Sequence, residues 1–296
     1  MAGVTWLLGD LTVNRIGLGA MRLPQQGTAF DRDARPRDRA QAIEVLRTAV
    51  ELGVNHVDTA AFYFSATRSA NELINSALAP YPDDLVIVTK VGPGRTPQGE
   101  WLPPARPEQL RGQVEENLRQ LGRDHLDVVN LRISGLDDVT DHFEELARLR
   151  QAGLIRHLGL SNVKPHHLDQ AQKVAPVVCV QNSFGLGHHP EQDDFLGVCG
   201  ERGVAFVPFF ALTGANREAG TSAGDAEDDE VTGIARAHGA TPAQVRLAWT
   251  LARGPHVLVI PGTGDPGHLR QNVGAGALDL TPEELTRLDA VHLSGS

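Results

Sequence analysis

Short apolar runs alternate along the chain with longer stretches in which apolar residues recur every three or four positions. The runs are NRIGLGA (14–20), NHVDT (55–59), LVIVTK (85–90), LDVVNLR (126–132), IRHLGLS (155–161), VVCVQ (177–181), VAFVP (204–208) and HVLVIP (256–261). Continuous apolar character predicts strands covered on both faces, as in a parallel sheet. Between them, RAQAIEVLRTAVELG (39–53), PEQLRGQVEENLRQLG (107–122) and DHFEELARLRQAG (141–153) predict amphipathic helices. Each ends on glycine (Gly53, Gly122, Gly153), the residue that most easily takes the left-handed conformation closing a helix. Eight such strands alternating with helices over about 250 residues predict an α/β fold, a closed (β/α)₈ TIM barrel.

An open doubly wound sheet is the rival. It needs a glycine-rich turn after its first strand, and IGLGAM matches GxGxxG poorly, with no acidic residue at the expected interval. Ahead of the first run, VTWLLGDLTV places Gly-Asp between apolar runs and predicts a β-hairpin able to plug the amino-terminal mouth of a barrel. Residues 214–230 are rich in Gly and Ser, then acidic, and read as a mobile loop leading into a helix. Thr281 with Glu284 gives a capping-box signature for the last helix. The expectation is one barrel domain over residues 1–296.

Composition narrows the function. The 296 residues carry 27 basic against 37 acidic side chains, a net charge of −10, which argues against nucleic acid and anionic membranes as partners. No apolar run reaches the ~18 residues of a membrane span, and the N-terminus lacks a signal peptide's basic region, so a cytoplasmic location is expected. Two cysteines, Cys179 and Cys199, make no disulfide framework. Only three of the 27 basic residues are lysines: Lys90, Lys164 and Lys173.

In a barrel of this kind the chemistry gathers at the carboxyl ends of the strands. Asp58, Lys90, Arg132, Ser161-Asn162, Gln181 and Phe209-Phe210 fall there, with Tyr63 in the loop after Asp58 and the turn Gly262-Thr263-Gly264 after the last run. A lysine closing LVIV leaves its ammonium partly desolvated and in need of a partner. Asp58 can supply one, and taken alone the couple fits a structural ion pair equally well. With Tyr63 beside it, the ammonium would stabilise phenolate, lower the phenol's pKa and make it a usable proton donor. The glycine turn, leading into a helix near Pro266, offers backbone amides to a phosphate, and Thr263 adds a hydroxyl. The adjacent pairs His166-His167 and His188-His189 lack metal-ligand spacing, so no metal is expected.

The blocks VNRIGLGAMRLP, GVNHVDTAAFY, LVIVTKVG, HLDVVNLR, IRHLGLSNV, VQN and IPGTGDPGHLRQN resemble the aldo-keto reductase family over nearly the whole length. That resemblance implies an enzyme reducing aldehydes or ketones with NAD(P)H. It makes Tyr63 the general acid, Lys90 the group that tunes it and Asp58 the holder of Lys90. It implies that Ser161, Asn162 and Gln181 bind the nicotinamide carboxamide and that Phe209 stacks on the ring. Gly262, Thr263 and Gly264 take phosphate, Gln271 and Asn272 the adenine, and His268 stands where a base for the 2′-phosphate is usual, which favours NADPH while leaving NADH open. The fourth catalytic position, usually histidine, is Arg132. Arginine cannot relay a proton but can orient a carbonyl or an acidic substrate; its alternative is pairing with an acid of GLDD (135–138). With Arg132, WLP (101–103) and VPFF (207–210), the chain is most similar to a bacterial subgroup that includes pyridoxal reductases. Ala61, Phe64 and Ser183-Phe184 depart from the usual pattern; Phe64, Trp101 and Phe184 are expected to line the substrate mouth. A small carbonyl compound is the expected partner. A nucleotide-binding regulator with little turnover, or an imine or activated-alkene reductase, are the alternatives that the altered fourth position leaves.

Overall fold

The computed structural model describes residues 5–27, 29–31, 33–212 and 229–294. An antiparallel hairpin, β1 (Thr5–Leu8) and β2 (Leu11–Asn14), turns at Gly9-Asp10 as the sequence predicts. Seven parallel strands follow in sheet order: β3 (Leu18–Gly19), β4 (His56–Asp58), β5 (Val86–Val91), β6 (Leu126–Arg132), β7 (Ile155–Ser161), β8 (Val177–Gln181) and β9 (Ala205–Phe206).

The eighth predicted strand is present as an extended segment, 256–261, that closes the ring through single bridges. Val257 pairs with Phe206 on one side; Val259 and Gly262 pair with Ile16 and Gly19 on the other. Backbone hydrogen bonds from Leu258 to Phe206 (2.9 Å) and from Gly17 to Val259 (2.8 Å) complete the (β/α)₈ barrel. The first and last segments approach so closely that a Cβ on Gly19 would lie 2.6 Å from the Ile260 carbonyl oxygen. Only glycine fits this seam.

The helices are α1 (Arg39–Glu51), α2 (Ala70–Leu78), α3 (Leu110–Leu121), α4 (Thr140–Gln151), α5 (Pro165–Val174), α6 (Asp193–Glu201), α7 (Asp229–Ala237), α8 (Pro242–Ala252), α9 (Pro266–Gly274) and α10 (Pro282–Ser294). Their ends follow local chemistry. Gly53, Gly122 and Gly153 adopt positive φ beyond α1, α3 and α4. At α10, Thr281 and Glu284 exchange reciprocal hydrogen bonds of 2.8 and 3.2 Å. The stretch read as a mobile loop lies, up to residue 228, outside the described residues.

Strand side chains alternate between two environments. Val57, Ile87, Val129, Leu131, Leu158 and Val180 pack outward against the helices. Val86, Val88, Val128, Val178 and Leu258 share a second cluster with Leu8 and Val13 of the hairpin. The hairpin thus plugs the amino-terminal mouth, each of the two side chains contributing ~1.5–3 kcal/mol of burial. Above this plug the same inward rows turn polar.

His56, on β4, is buried within this interior, and its ring nitrogens make no hydrogen bond of ordinary geometry among the described residues. Burial pushes its pKa down to about 4, against a smaller raising effect of the Asn14 backbone. The unfolded chain therefore takes up this proton first as pH falls, and stability is lost between about 6.5 and about 4. The loss amounts to ~3 kcal/mol. His56→Leu should lack this part of the acid destabilisation in thermal melts; an identical slope in both proteins would refute the assignment.

Candidate active site

The pleat of β5 carries Val86 and Val88 into the apolar plug and Lys90, two residues on, into the barrel above it. The Lys90 and Asp58 side chains are 2% and 4% exposed, and Nζ lies 2.5 Å from Asp58 Oδ1. Nζ also donates to the Thr59 carbonyl at 3.1 Å, and Gln181 Nε2 donates to the other Asp58 oxygen at 2.6 Å. Burial pulls the Lys90 pKa down, but Asp58 and then Tyr63 raise it, and the net shift is upward. Lys90 is an ammonium at neutral pH.

Tyr63 is fixed in the β4–α2 loop by hydrogen bonds of its own backbone, to the Ala60 carbonyl (3.0 Å) and from the Ala70 amide (2.9 Å). Phe62 packs edge-on against its ring at 5.1 Å, and Lys90 Nζ lies 5.0 Å from the ring centroid. The expected lowering of the phenol's pKa is not the net result. Burial raises it, Lys90 opposes with the largest lowering effect, Asp58 raises it and Arg132 lowers it; the balance is upward. Desolvation outweighs the ammonium because the phenol has almost no water contact. Tyr63 is therefore a fully protonated acid at neutral pH.

Tyr63, Lys90, Asp58 and Gln181 open into a cavity of about 380 Å³, walled by Arg132, Phe209, Trp101, Phe30 and Phe62 and floored at one side by Gly19 and Gly262. Arg132 donates to Ser161 Oγ at 3.1 Å and lies 5.0 Å from the Phe209 ring centre. It has no carboxylate partner among the described residues; Asp138 of the GLDD segment instead accepts from the Thr140 amide at 2.8 Å. Trp101 is 52% exposed and stands at the rim against Phe30 and Phe62, with ring centres 5.1 and 5.8 Å away. Arg95 ties this rim together by donating to the carbonyls of Phe30, Phe62, Phe64 and Gly99.

Two expected mouth residues lie elsewhere. Phe184 is fully buried, stacked at 5.8 Å on Trp249 and edge-on to Phe206 and His292, because the β8–α6 loop turns it outward into the helical layer. Phe64 faces a separate cleft, where the Arg95 guanidinium lies 4.6 Å from its ring centre. Phe30, Phe62, Arg22, Phe210 and Leu212 line the cavity instead. Phe62 was visible in the block DTAAFY; Phe30 and Arg22 sit in a first loop whose path no periodicity predicts.

Residues 15–292 match the model of the aldo/keto reductase family. The chain belongs to this family. It is 43% identical to a pyridoxine 4-dehydrogenase of Escherichia coli over 98% of this chain and 99% of the relative. An uncharacterised oxidoreductase of Schizosaccharomyces pombe is 36% identical over 95% and 88%. Among solved structures, a thermostable aldo-keto reductase bound to the inhibitor epalrestat is 30% identical, with a TM-score of 0.78 over 96% of this chain and 97% of that one. An aldo/keto reductase of Klebsiella pneumoniae in complex with NADP and acetate is 26% identical, with a TM-score of 0.76 over 95% and 92%.

As an aldo-keto reductase the protein is an NAD(P)H-dependent enzyme, and its residues fit a dinucleotide. Gln181 Oε1 is buried in the cavity without a hydrogen-bond partner among the described residues, which suits an incoming amide donor. Phe209 presents its ring beside it, and Ser161 is buried next to Arg132. Asn162 holds a left-handed backbone (φ 58°) and donates its side-chain amide to the Ile133 carbonyl at 2.9 Å. At the other end Gly262-Thr263-Gly264 precedes α9, whose first turn is capped by Asp265 accepting from the His268 amide at 2.9 Å. Thr263 Oγ1 accepts from the Asp265 amide at 3.1 Å, so part of its hydroxyl's capacity serves the turn. His268 and Gln271 are exposed on α9, and Asn272 is buried.

The first loop brings two arginines to this turn. Arg37 Nη1 donates to the Gly264 carbonyl at 3.2 Å, and Arg22 lies over Gly262, with Cγ 3.5 Å from where a Cβ would stand. Burial and the neighbouring Arg22 both push the Arg37 pKa down, as like charges brought together beside a turn must. Sequence reading missed this pair, because 227 residues of chain separate Arg37 from Gly264.

The two tyrosines make the site's electrostatics measurable. Burial pushes Tyr81 up to about 12, and Tyr63 is also raised. Ultraviolet titration of the free protein should show no tyrosinate below about pH 10. A tyrosine ionising near neutral pH, and lost in Tyr63→Phe, would contradict the balance described.

Proposed function

We propose that the protein reduces an aldehyde or ketone to an alcohol with NADPH, with Tyr63 as the general acid. The observation that carries this reading is the unbroken chain Gln181–Asp58–Lys90–Tyr63, buried below and open above to a cavity that also holds Arg132. When bound, the reduced nicotinamide supplies a hydride to the carbonyl carbon. Tyr63 gives its proton to the oxygen as negative charge develops there. The phenolate left behind faces the Lys90 ammonium, whose charge Asp58 and Thr59 hold in place. Arg132 orients the carbonyl and donates to the developing oxyanion from a fixed position on Ser161 and Phe209.

Ser161, Asn162 and Gln181 hold the carboxamide in this reading, and Phe209 carries the ring face. Gly262, Thr263 and Gly264 present the phosphate-binding turn, Gln271 and Asn272 the adenine side. The Arg22–Arg37 pair favours the more anionic NADPH over NADH. Pyridoxal is the first aldehyde to assay, given the 43% identity to a pyridoxine 4-dehydrogenase. The departures at Phe64 and Phe184 lie outside the reaction cavity, so they do not weigh against it. We read residues 1–296 as one barrel domain acting in the cytoplasm; among the described residues no helix is long and apolar enough to cross a membrane.

Tyr63→Phe keeps the ring and removes the proton. Steady-state turnover should fall by roughly 10²–10⁴-fold, while NADPH affinity, read by fluorescence titration, stays within about twofold of the original. Undiminished turnover in this variant would remove Tyr63 from its role.

A further inference from the structure

Beyond the reaction cavity lies a second chamber of about 280 Å³, set between the β5–α3 loop and the end of β6. Its walls are mainly apolar: Leu102, Pro104, Leu131, Ile133 and Leu136. The two spaces share two side chains, the Trp101 indole and Arg132, which line both. His142, also in its wall, directs Nε2 to the Ala105 carbonyl at 3.0 Å. Asn162, Ser134 and His142 supply its polar margin, and the apolar walls have no part in the proposed reaction.

We infer that the chamber is a subsite for an apolar arm of the substrate, so that the enzyme favours aryl carbonyl compounds carrying a second ring. The inference rests on the proposed carbonyl reduction for the position of the reacting group. Three observations support the arm's chemistry. The chamber exceeds the ~150 Å³ in which a dry apolar cavity accommodates benzene. The boundary it shares with the reaction cavity is an indole and a guanidinium, planar groups against which an aromatic ring stacks favourably. Arg132 is held by Ser161 and Phe209 on the reaction side, which anchors a polar head there and leaves the apolar walls for the tail. Transfer of one phenyl ring from water into such walls favours binding by roughly 10- to 100-fold.

The test fills the chamber from its rim. Leu102 is 48% exposed and Leu136 is half-buried, so Leu102→Trp and Leu136→Trp add volume without opening the core. With NADPH, the original enzyme should turn over a meta- or para-biphenyl carbaldehyde with a kcat/KM at least about tenfold above that of benzaldehyde. Each variant should erase most of that ratio and leave the benzaldehyde value unchanged. In parallel, calorimetry with the oxidised dinucleotide present reads binding of biphenyl carboxylate against benzoate, with no turnover required. The same preference, lost in both variants, is expected. If neither aldehyde is reduced but the carboxylate preference appears and is lost on filling, the subsite stands and the reduction reading falls. Absence of a biphenyl preference in the original protein, or a preference untouched by both variants, overturns the subsite.

Discussion

A lysine ammonium and an aspartate carboxylate, 2.5 Å apart and almost wholly removed from water, sit inside the carboxyl half of this barrel. Two charges in such a place are tolerated only with close geometry and satisfied hydrogen bonds. Both conditions are met: Asp58 accepts from Lys90 on one oxygen and from Gln181 on the other, and Lys90 also reaches the Thr59 carbonyl. The pair joins β4, β5 and β8 across the barrel, so the position of Tyr63 above it and the amide of Gln181 beside it are set by one arrangement. The apolar plug below, closed by Leu8 and Val13 of the hairpin, keeps the pair out of water.

The strand register explains why so much of this was legible in the chain. A run such as LVIVTK must put every second residue on one face, and a single lysine at its end has nowhere to go but inward. The same argument places Asp58 and Gln181. It fails for Phe184, which lies three residues beyond the end of β8, where alternation no longer applies. It also fails for Phe30, Arg22 and Arg37, which a long first loop carries to the mouth and to the glycine turn. The direction of the Tyr63 shift was hidden for another reason. Sequence names the neighbours of a phenol but not its exposure, and here exposure outweighs the neighbouring charge.

The protein carries a net charge of −10, yet Arg132 and Arg22 line the reaction cavity and Arg37 stands at the turn before α9. Under the proposed function, such local cations on an acidic molecule draw an anionic dinucleotide to the site without making the whole surface sticky to polyanions. Arginine is the default cation of this chain, with three lysines among its 27 basic residues. The lysine retained inside the barrel is the compact one, able to meet Asp58 and the face of Tyr63 at once, where a planar guanidinium would not fit the same contacts.

The central claim is that the buried pair is a single unit that holds the acid in place. A double-mutant cycle on Asp58→Asn and Lys90→Met, read by denaturant unfolding and by turnover, tests it directly. Each single change strands a buried group and should cost ~3–5 kcal/mol of stability, whereas the double variant should recover most of that stability and none of the activity. Single variants as stable as the original protein, or a double variant that regains turnover, would contradict it.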